Sequence, residues 1–206
     1  MKIAIAESLL KSHSYTKYRT IVTKLFKEGK SSGDQQSEAL LHYTELNEAR
    51  MNRLDKKTVI SEDNIKKLLS LKKKYLWLVI SEGWCGDAAQ ILPILNQMAL
   101  IGNHIDLKIV FRDENNALMN QFLTNGSRSI PKLIILDQTH NVLGSWGPRP
   151  KGATDLITSY KRQYGTIDET AKTEIQLWYL RDKGISTQNE VADLIVELER
   201  LIYCKR

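Results

Sequence analysis

The chain has 206 residues, of which 42% are hydrophobic and 26% charged, so it is long enough to form one large domain around a buried core. Its formal net charge is +6, but no aromatic interleaving or recognised nucleic-acid module accompanies that charge, so we expect no nucleic-acid partner. No apolar run approaches the ~20 residues that a membrane span needs. The start of the chain has too short an apolar run for a secretory signal. We therefore expect a soluble, cytoplasmic protein.

The chain contains two cysteines, Cys85 and Cys204, and four histidines that are scattered without paired ligand spacing. Two cysteines cannot build a disulfide framework or a cysteine-rich zinc site. We therefore expect no metal and no cofactor, and at most one disulfide or two free thiols.

The segment before residue 74 has helical spacing of its apolar residues. It predicts about three helices, over Tyr15–Lys27, over residues 36–56, and a short one that begins at Ser61 as the N-cap. Residues 167–206 predict two more helices, separated at Gly184, the second capped by Ser186 or Thr187.

The middle of the chain alternates between strand and helix patterns. Tyr75–Ser81 is a continuous apolar run, typical of a strand buried on both faces. The pattern then predicts a helix over residues 85–101, a strand over 105–111 and a short helix over 117–123. Two strands follow, over 131–137 and 140–146, joined by a tight turn, and a last helix spans 151–164. The predicted order of these elements is βαβαββα.

Cys85 lies where the first predicted strand passes into a helix. The first turn of a helix offers unsatisfied backbone N–H groups and the positive end of the helix dipole, which favour a thiolate. Such positions lower the pKa of a cysteine below its usual ~8.5, and the thiolate is the nucleophile in disulfide exchange. The charge of Asp87 opposes this effect. We expect a reactive thiol of moderate acidity; the alternative is a small buried hydrophobic residue.

The run Trp84-Cys85-Gly86-Asp87-Ala88 resembles the Trp-Cys-Gly-Pro-Cys active site of thioredoxins, at the matching strand-to-helix junction. Pro93 matches the proline that bends their active-site helix, and Ile130-Pro131 matches their cis-proline loop. Gly147 matches their glycine at the far rim of the substrate groove, and Arg128 also has a counterpart. The resemblance extends over about residues 74–164, and is greatest to bacterial thioredoxin-like proteins with a Trp-Cys-Gly-Asp motif.

The resemblance implies a thioredoxin-like α/β fold, with a mixed sheet of about four strands flanked by helices. Together with the helical patterns on either side, it predicts three parts: a helical extension over residues 1–73 packed on the core, the thioredoxin-like domain over 74–164, and a helical extension over 165–206.

Two departures from the family pattern restrict the chemistry. Ala88 stands where dithiol members have their resolving cysteine, and Val79 stands where they have a buried aspartate that serves it. We therefore expect a monothiol protein in which Cys85 forms a mixed disulfide that an external thiol resolves. The alternative is a non-catalytic module that binds a peptide or protein.

The resemblance implies a substrate site of Trp84, Gly86, Asp87, Arg128, Ile130, Pro131 and Gly147 around Cys85, and a protein or low-molecular-weight thiol or disulfide as the partner. Arg149 and Arg128 are candidates for holding a carboxylate. Glu82 is expected to be a solvated loop residue, and Asp113 to cap the next helix or to exchange protons with the site. Cys204 is expected to be an ordinary terminal cysteine, with a resolving role as the alternative.

Overall fold

A computed structural model of the protein describes residues 1–204. It has a four-stranded sheet in the order β2-β1-β3-β4. Strand β2 pairs parallel to β1, β3 pairs antiparallel to β1, and β4 pairs antiparallel to β3. The strands are β1 Tyr75–Ser81, β2 Ile105–Phe111, β3 Lys132–Leu136 and β4 Val142–Trp146. The helices are α1 Lys2–Leu10, α2 Tyr15–Lys27, α3 Glu38–Lys57, α4 Glu62–Ser70, α5 Gly86–Ala99, α6 Asn116–Met119, α7 Lys151–Tyr164, α8 Glu169–Asp182 and α9 Ile185–Cys204.

The order from β1 to α7 is the βαβαββα order that the sequence predicts, within a thioredoxin-like α/β fold. Central strand β1 is buried along almost its whole length, as its continuous apolar run indicates. Its register places Val79 beside Ile109 of β2 and Leu133 of β3. These three side chains are no more than 1% exposed. Val79, which stands at the position of the family's buried aspartate, therefore lies in the apolar core.

The helical extensions pack on this core. Helix α3 packs against α5, which carries the cysteine motif at its start, and α9 packs against α4 and α5. His13 pairs by two backbone hydrogen bonds of 2.8 Å with Ile109 and so covers the outer edge of β2.

Three local predictions were wrong. The part of the chain before β1 has four helices, because α1 is an additional one; it buries only Ala4, Ile5 and Ser8, which is too few for a clear apolar stripe. The short helix ends at Met119, not near residue 123. Helix α9 begins at Ile185 rather than at a Ser186 or Thr187 cap, and the Ser186 N–H donates instead to the Asp182 carboxylate.

No helix within residues 1–204 has the length and apolar character needed to cross a membrane.

Candidate active site

Cys85 is the N-cap residue of α5 and its side chain opens on a cleft beside the Ile130–Pro131 loop. The residue is only 7% exposed. Its Sγ donates a hydrogen bond of 3.3 Å to the carbonyl oxygen of Ile130. The Ile130–Pro131 peptide bond is cis, as is Gly147–Pro148. The sulfur of Cys85 therefore lies directly against the backbone of the proline loop.

Burial dominates the electrostatics of Cys85. Burial and, to a smaller extent, the carboxylate of Asp87 raise the pKa of the thiol to about 12. The backbone N–H groups of Ala88 and Asp87 and the charge of Arg149 act in the opposite direction. The expectation of a moderately acidic thiol was therefore wrong, because loss of hydration outweighs the helix N-terminus.

Asp87 is engaged inside the protein. Its Oδ1 accepts a hydrogen bond of 2.9 Å from the Tyr179 hydroxyl, and its Oδ2 pairs with Arg149 at 2.6 Å. Arg149 therefore already has a carboxylate partner within the chain, so it does not need one from a ligand. The phenol of Tyr179 has a pKa well above its usual range because of burial, and Asp87 adds to this effect.

Glu82 is not the solvated loop residue that the sequence suggests. It follows β1, and its side chain is fully buried. Its carboxylate accepts hydrogen bonds from the Ser32 hydroxyl and, at 3.0 Å, from the Asp113 backbone N–H. Burial raises the pKa of Glu82 to about 7, although these two hydrogen bonds act against the shift.

Asp113 does not cap α6. The N-cap of that helix is Asn115, and it makes no side-chain capping bond. The Asp113 carboxylate instead pairs with Arg112 at 2.8 Å and lies 3.9 Å from Arg128. The guanidinium of Arg112 also lies over the Trp84 ring, 4.9 Å from its centroid.

Six of the eight predicted site residues line the cleft, whose volume is about 460 Å³. They are Trp84, Cys85, Gly86, Asp87, Arg128 and Ile130. The other two, Pro131 and Gly147, support its rim. Gly147 has a φ of +109°, and a Cβ atom there would collide with the carbonyl oxygen of Pro131, so the close approach of these two loops requires glycine.

The sequence motif did not reveal the helical walls of the cleft. Helix α3 contributes Leu40, Tyr43 and Arg50, and α8 contributes Lys172, Ile175 and Gln176. Gln176 donates no bond to the motif itself, but its Oε1 accepts one of 2.8 Å from Gln90 of α5. These residues lie far from the motif along the chain, so no local spacing could have assigned them to the site.

Cys204 is exposed at the end of α9. Both cysteines are free thiols in the described chain. Among residues 1–204, no three His, Cys, Asp or Glu side chains are grouped so as to hold a metal ion.

The parallel β1–β2 pair, the antiparallel β3–β4 pair, and a cysteine at the start of α5 facing a cis-proline loop define a thioredoxin-like protein. A profile of the thioredoxin family matches residues 33–161, which is more than half of the chain. The chain therefore belongs to the thioredoxin family. The match begins within the helical segment that precedes β1, so it extends beyond the central part of the fold.

Two solved structures share the fold. One is a protein of unknown function, PA1234, from Pseudomonas aeruginosa, with 18% identity and a TM-score of 0.58; the match covers 89% of this chain and 97% of that one. The other is an HIV epitope-scaffold, with 22% identity and a TM-score of 0.56, covering 89% and 98%. No curated protein matches the sequence significantly.

Proposed function

We propose that the protein carries out thiol–disulfide exchange through the single sulfur of Cys85. The observation that carries this proposal is the position of that sulfur, at the start of α5, on the cleft, and 3.3 Å from the Ile130 carbonyl. A substrate sulfur that enters the cleft can meet Cys85 between the Trp84 ring and the proline loop.

The reaction has two balanced steps. Cys85 loses its proton, and its sulfur bonds to one sulfur of a disulfide as the S–S bond of that disulfide breaks. The other half of the disulfide leaves as a thiolate and takes up one proton, so the number of protons is unchanged. An external thiol then attacks the mixed disulfide, returning Cys85 to the thiol and forming a new disulfide. Ala88 cannot perform this second step, so the electrons come from the external thiol.

A catalytic exchange assay tests the proposal. Purified protein is mixed with a small disulfide and an excess of a small thiol, and the released thiol is followed. We expect turnover by the wild type and by Cys204→Ser, and none above background by Cys85→Ser. Equal activity of Cys85→Ser and wild type would overturn the proposal, because the activity would then come from the exposed Cys204 thiol, which Cys85→Ser retains.

A second candidate function is a binding module without redox chemistry. The high pKa of the Cys85 thiol favours it, because little thiolate is present at neutral pH. In that case Cys85→Ser would bind the same ligand with unchanged affinity, and Cys85 would form no mixed disulfide. These two results together distinguish the module from the exchange protein.

A further inference from the structure

The cleft at Cys85 has helical walls in addition to the cysteine motif and the proline loop. Helix α3 lies on one side and α8 on another, and both belong to the helical extensions. Its volume of about 460 Å³ is within the range of about 300–1,000 Å³ that is usual for small-molecule sites. The size of the cleft therefore fits an occupant of low molecular weight.

The charged side chains of the cleft are strongly unequal in sign. Four arginines and one lysine line it, against the single carboxylate of Asp87. That carboxylate is already engaged by Arg149 and Tyr179. Lys172 pairs with Glu169 at 2.6 Å. The remaining cations, Arg50, Arg112 and Arg128, decide the net charge that a ligand meets.

These three arginines have one carboxylate partner among them in the described chain. Asp113 pairs with Arg112 at 2.8 Å and with Arg128 at 3.9 Å. No carboxylate of residues 1–204 forms an ion pair with Arg50, whose Nη1 donates instead to the neutral amide oxygen of Asn47 at 2.8 Å. Burial lowers the pKa of Arg50, and nearby Arg53 lowers it further. Arg50 is thus a partly desolvated cation without a direct ion-pair partner, although the charge of Asp87 raises its pKa.

Arg50 is also close to the cysteine motif. A Cβ atom built on Gly86, the residue after Cys85, would lie 3.7 Å from Arg50 Nη1. A ligand with its sulfur at Cys85 therefore has Arg50 within the length of a small organic molecule. A guanidinium forms paired hydrogen bonds with carboxylate and phosphate groups.

From this placement we infer that the cleft binds a low-molecular-weight disulfide that carries carboxylate or phosphate groups. Its sulfur would lie at Cys85 and its acidic groups at Arg50, Arg112 and Arg128. This inference rests on the proposed exchange at Cys85, and it names the class of substrate. The substrate's negative charges supply the direct ion-pair partner that Arg50 lacks.

The test compares four disulfides under identical conditions, using Cys204→Ser protein and intact mass to measure the rate of adduct formation. Glutathione disulfide carries carboxylates, coenzyme A disulfide carries phosphates, 2-hydroxyethyl disulfide is neutral, and cystamine is cationic. We expect at least one anionic disulfide to react about tenfold faster than the neutral one, and cystamine to react slowest. The faster of the first two identifies the acidic group.

The variant Arg50→Gln should lower the ratio of the anionic to the neutral rate by about tenfold. Arg128→Gln, at an exposed position, should lower the same ratio and provides a second variant that keeps the buried site intact. The matched control is Arg200→Gln, which removes an exposed arginine of α9 outside the cleft and should leave the ratio unchanged.

The outcomes separate the two proposals. If all four disulfides form the adduct at equal rates and Arg50→Gln leaves the ratio unchanged, the substrate class is wrong and the exchange function remains. An equal fall of the ratio in Arg200→Gln and in Arg50→Gln would also overturn the substrate class, since it would reflect general surface charge. If none of the four forms an adduct at Cys85, the proposed function itself fails.

Discussion

At the scale of single residues, opposing electrostatic effects determine whether Cys85 is a thiol or a thiolate. The helix N-terminus and Arg149 favour its thiolate, whereas burial and Asp87 favour the thiol. Burial is the largest of these effects, so the thiol holds its proton and donates it to Ile130. The rate of reaction at Cys85 should therefore be limited by the small fraction of thiolate at neutral pH.

The pH dependence of alkylation in Cys204→Ser tests this account. Because a thiol with a pKa of about 12 is far from half-ionised, the rate should rise about tenfold per pH unit between about pH 6 and pH 9. Asp87→Asn removes a negative charge beside the sulfur, so it should raise the rate at pH 7 by about tenfold, the effect of one pKa unit.

The control for this change is Asp106→Asn, which removes an exposed carboxylate at the opposite end of the sheet, where β2 begins. It should leave the rate unchanged. A plateau of the wild-type rate near pH 7, or a slower reaction of Asp87→Asn, would contradict the account.

Ala88 defines the missing resolving step, and restoring a sulfur there should restore that step. In Cys204→Ser protein, the further change Ala88→Cys should let a mixed disulfide at Cys85 resolve without added thiol, giving an internal disulfide. Intact mass checks this: the adduct disappears and the product is the protein lacking two hydrogens. The control Ala89→Cys turns its sulfur to another side of α5 and should keep the adduct. Persistence of the adduct in Ala88→Cys would be the contrary result.

At the scale of elements, α3 is part of the active site as well as of the helical extension. Asn47 is fully buried, and its Nδ2 donates a bond of 2.9 Å to the carbonyl oxygen of Gly83, just before the cysteine motif. Its Oδ1 accepts from Arg50. One side chain thus fixes the helix to the motif and holds the arginine that lacks a direct ion-pair partner.

Asn47→Ala leaves the Gly83 carbonyl and the Arg50 guanidinium without these partners. It should lower the free energy of unfolding by about 1–3 kcal/mol, the cost of an unsatisfied buried polar group. Urea unfolding measures this cost. Glu45→Ala, on the exposed face of the same helix, should change it by less than about 0.5 kcal/mol. Equal effects of the two variants would show that the Asn47 bond does not hold α3 to the motif.

At the scale of the whole molecule, Glu82 joins three distant parts of the chain. Ser32 donates to its carboxylate from the loop before α3, and the Asp113 N–H donates to it from the loop after β2. The Ser32 hydroxyl oxygen also accepts from Gly83 N–H at 2.8 Å. Burial and the Asp113 charge raise the pKa of Glu82, while Arg112 lowers it.

This buried acid should make stability depend on pH. The folded pKa of about 7 lies above the ordinary glutamate value of 4.5, so between these values the folded state binds more protons than the unfolded one. Stability from Glu82 is therefore full below about pH 4.5 and is lost as pH rises to about 7, by about 3 kcal/mol in total.

Glu82→Gln removes this titration while keeping an acceptor for the Asp113 N–H. The difference in unfolding free energy between the variant and the wild type should grow in favour of the variant from about pH 5 to about pH 8. Denaturant unfolding across that range measures it. A difference that is constant with pH would contradict the raised pKa of Glu82.

Local patterns in the sequence predict the sheet, the position of Cys85 and the proline loop. The run Tyr75–Ser81 is buried because it is apolar on both faces, and Asn125 and Gly126 both take positive φ values in the turn that their residue types favour. These features depend on neighbours along the chain, so one sequence is enough to find them.

The properties that decide the chemistry depend on distant packing. Glu82 is buried because Ser32 covers it from 50 positions away, and Arg50 reaches the cleft because α3 packs on α5. Cys85 holds its proton because the surrounding elements exclude water. No spacing within the motif indicates any of these effects.

On the proposed function, Cys85 forms a mixed disulfide that an external thiol reverses. The most direct measurement is intact mass of Cys204→Ser protein incubated with glutathione disulfide near pH 8 and then with excess reduced thiol. We expect one adduct that forms on the folded protein and disappears on addition of thiol, and no adduct on the protein lacking both cysteines. An unmodified folded protein, under conditions in which the same chain unfolded in urea becomes modified, would contradict it.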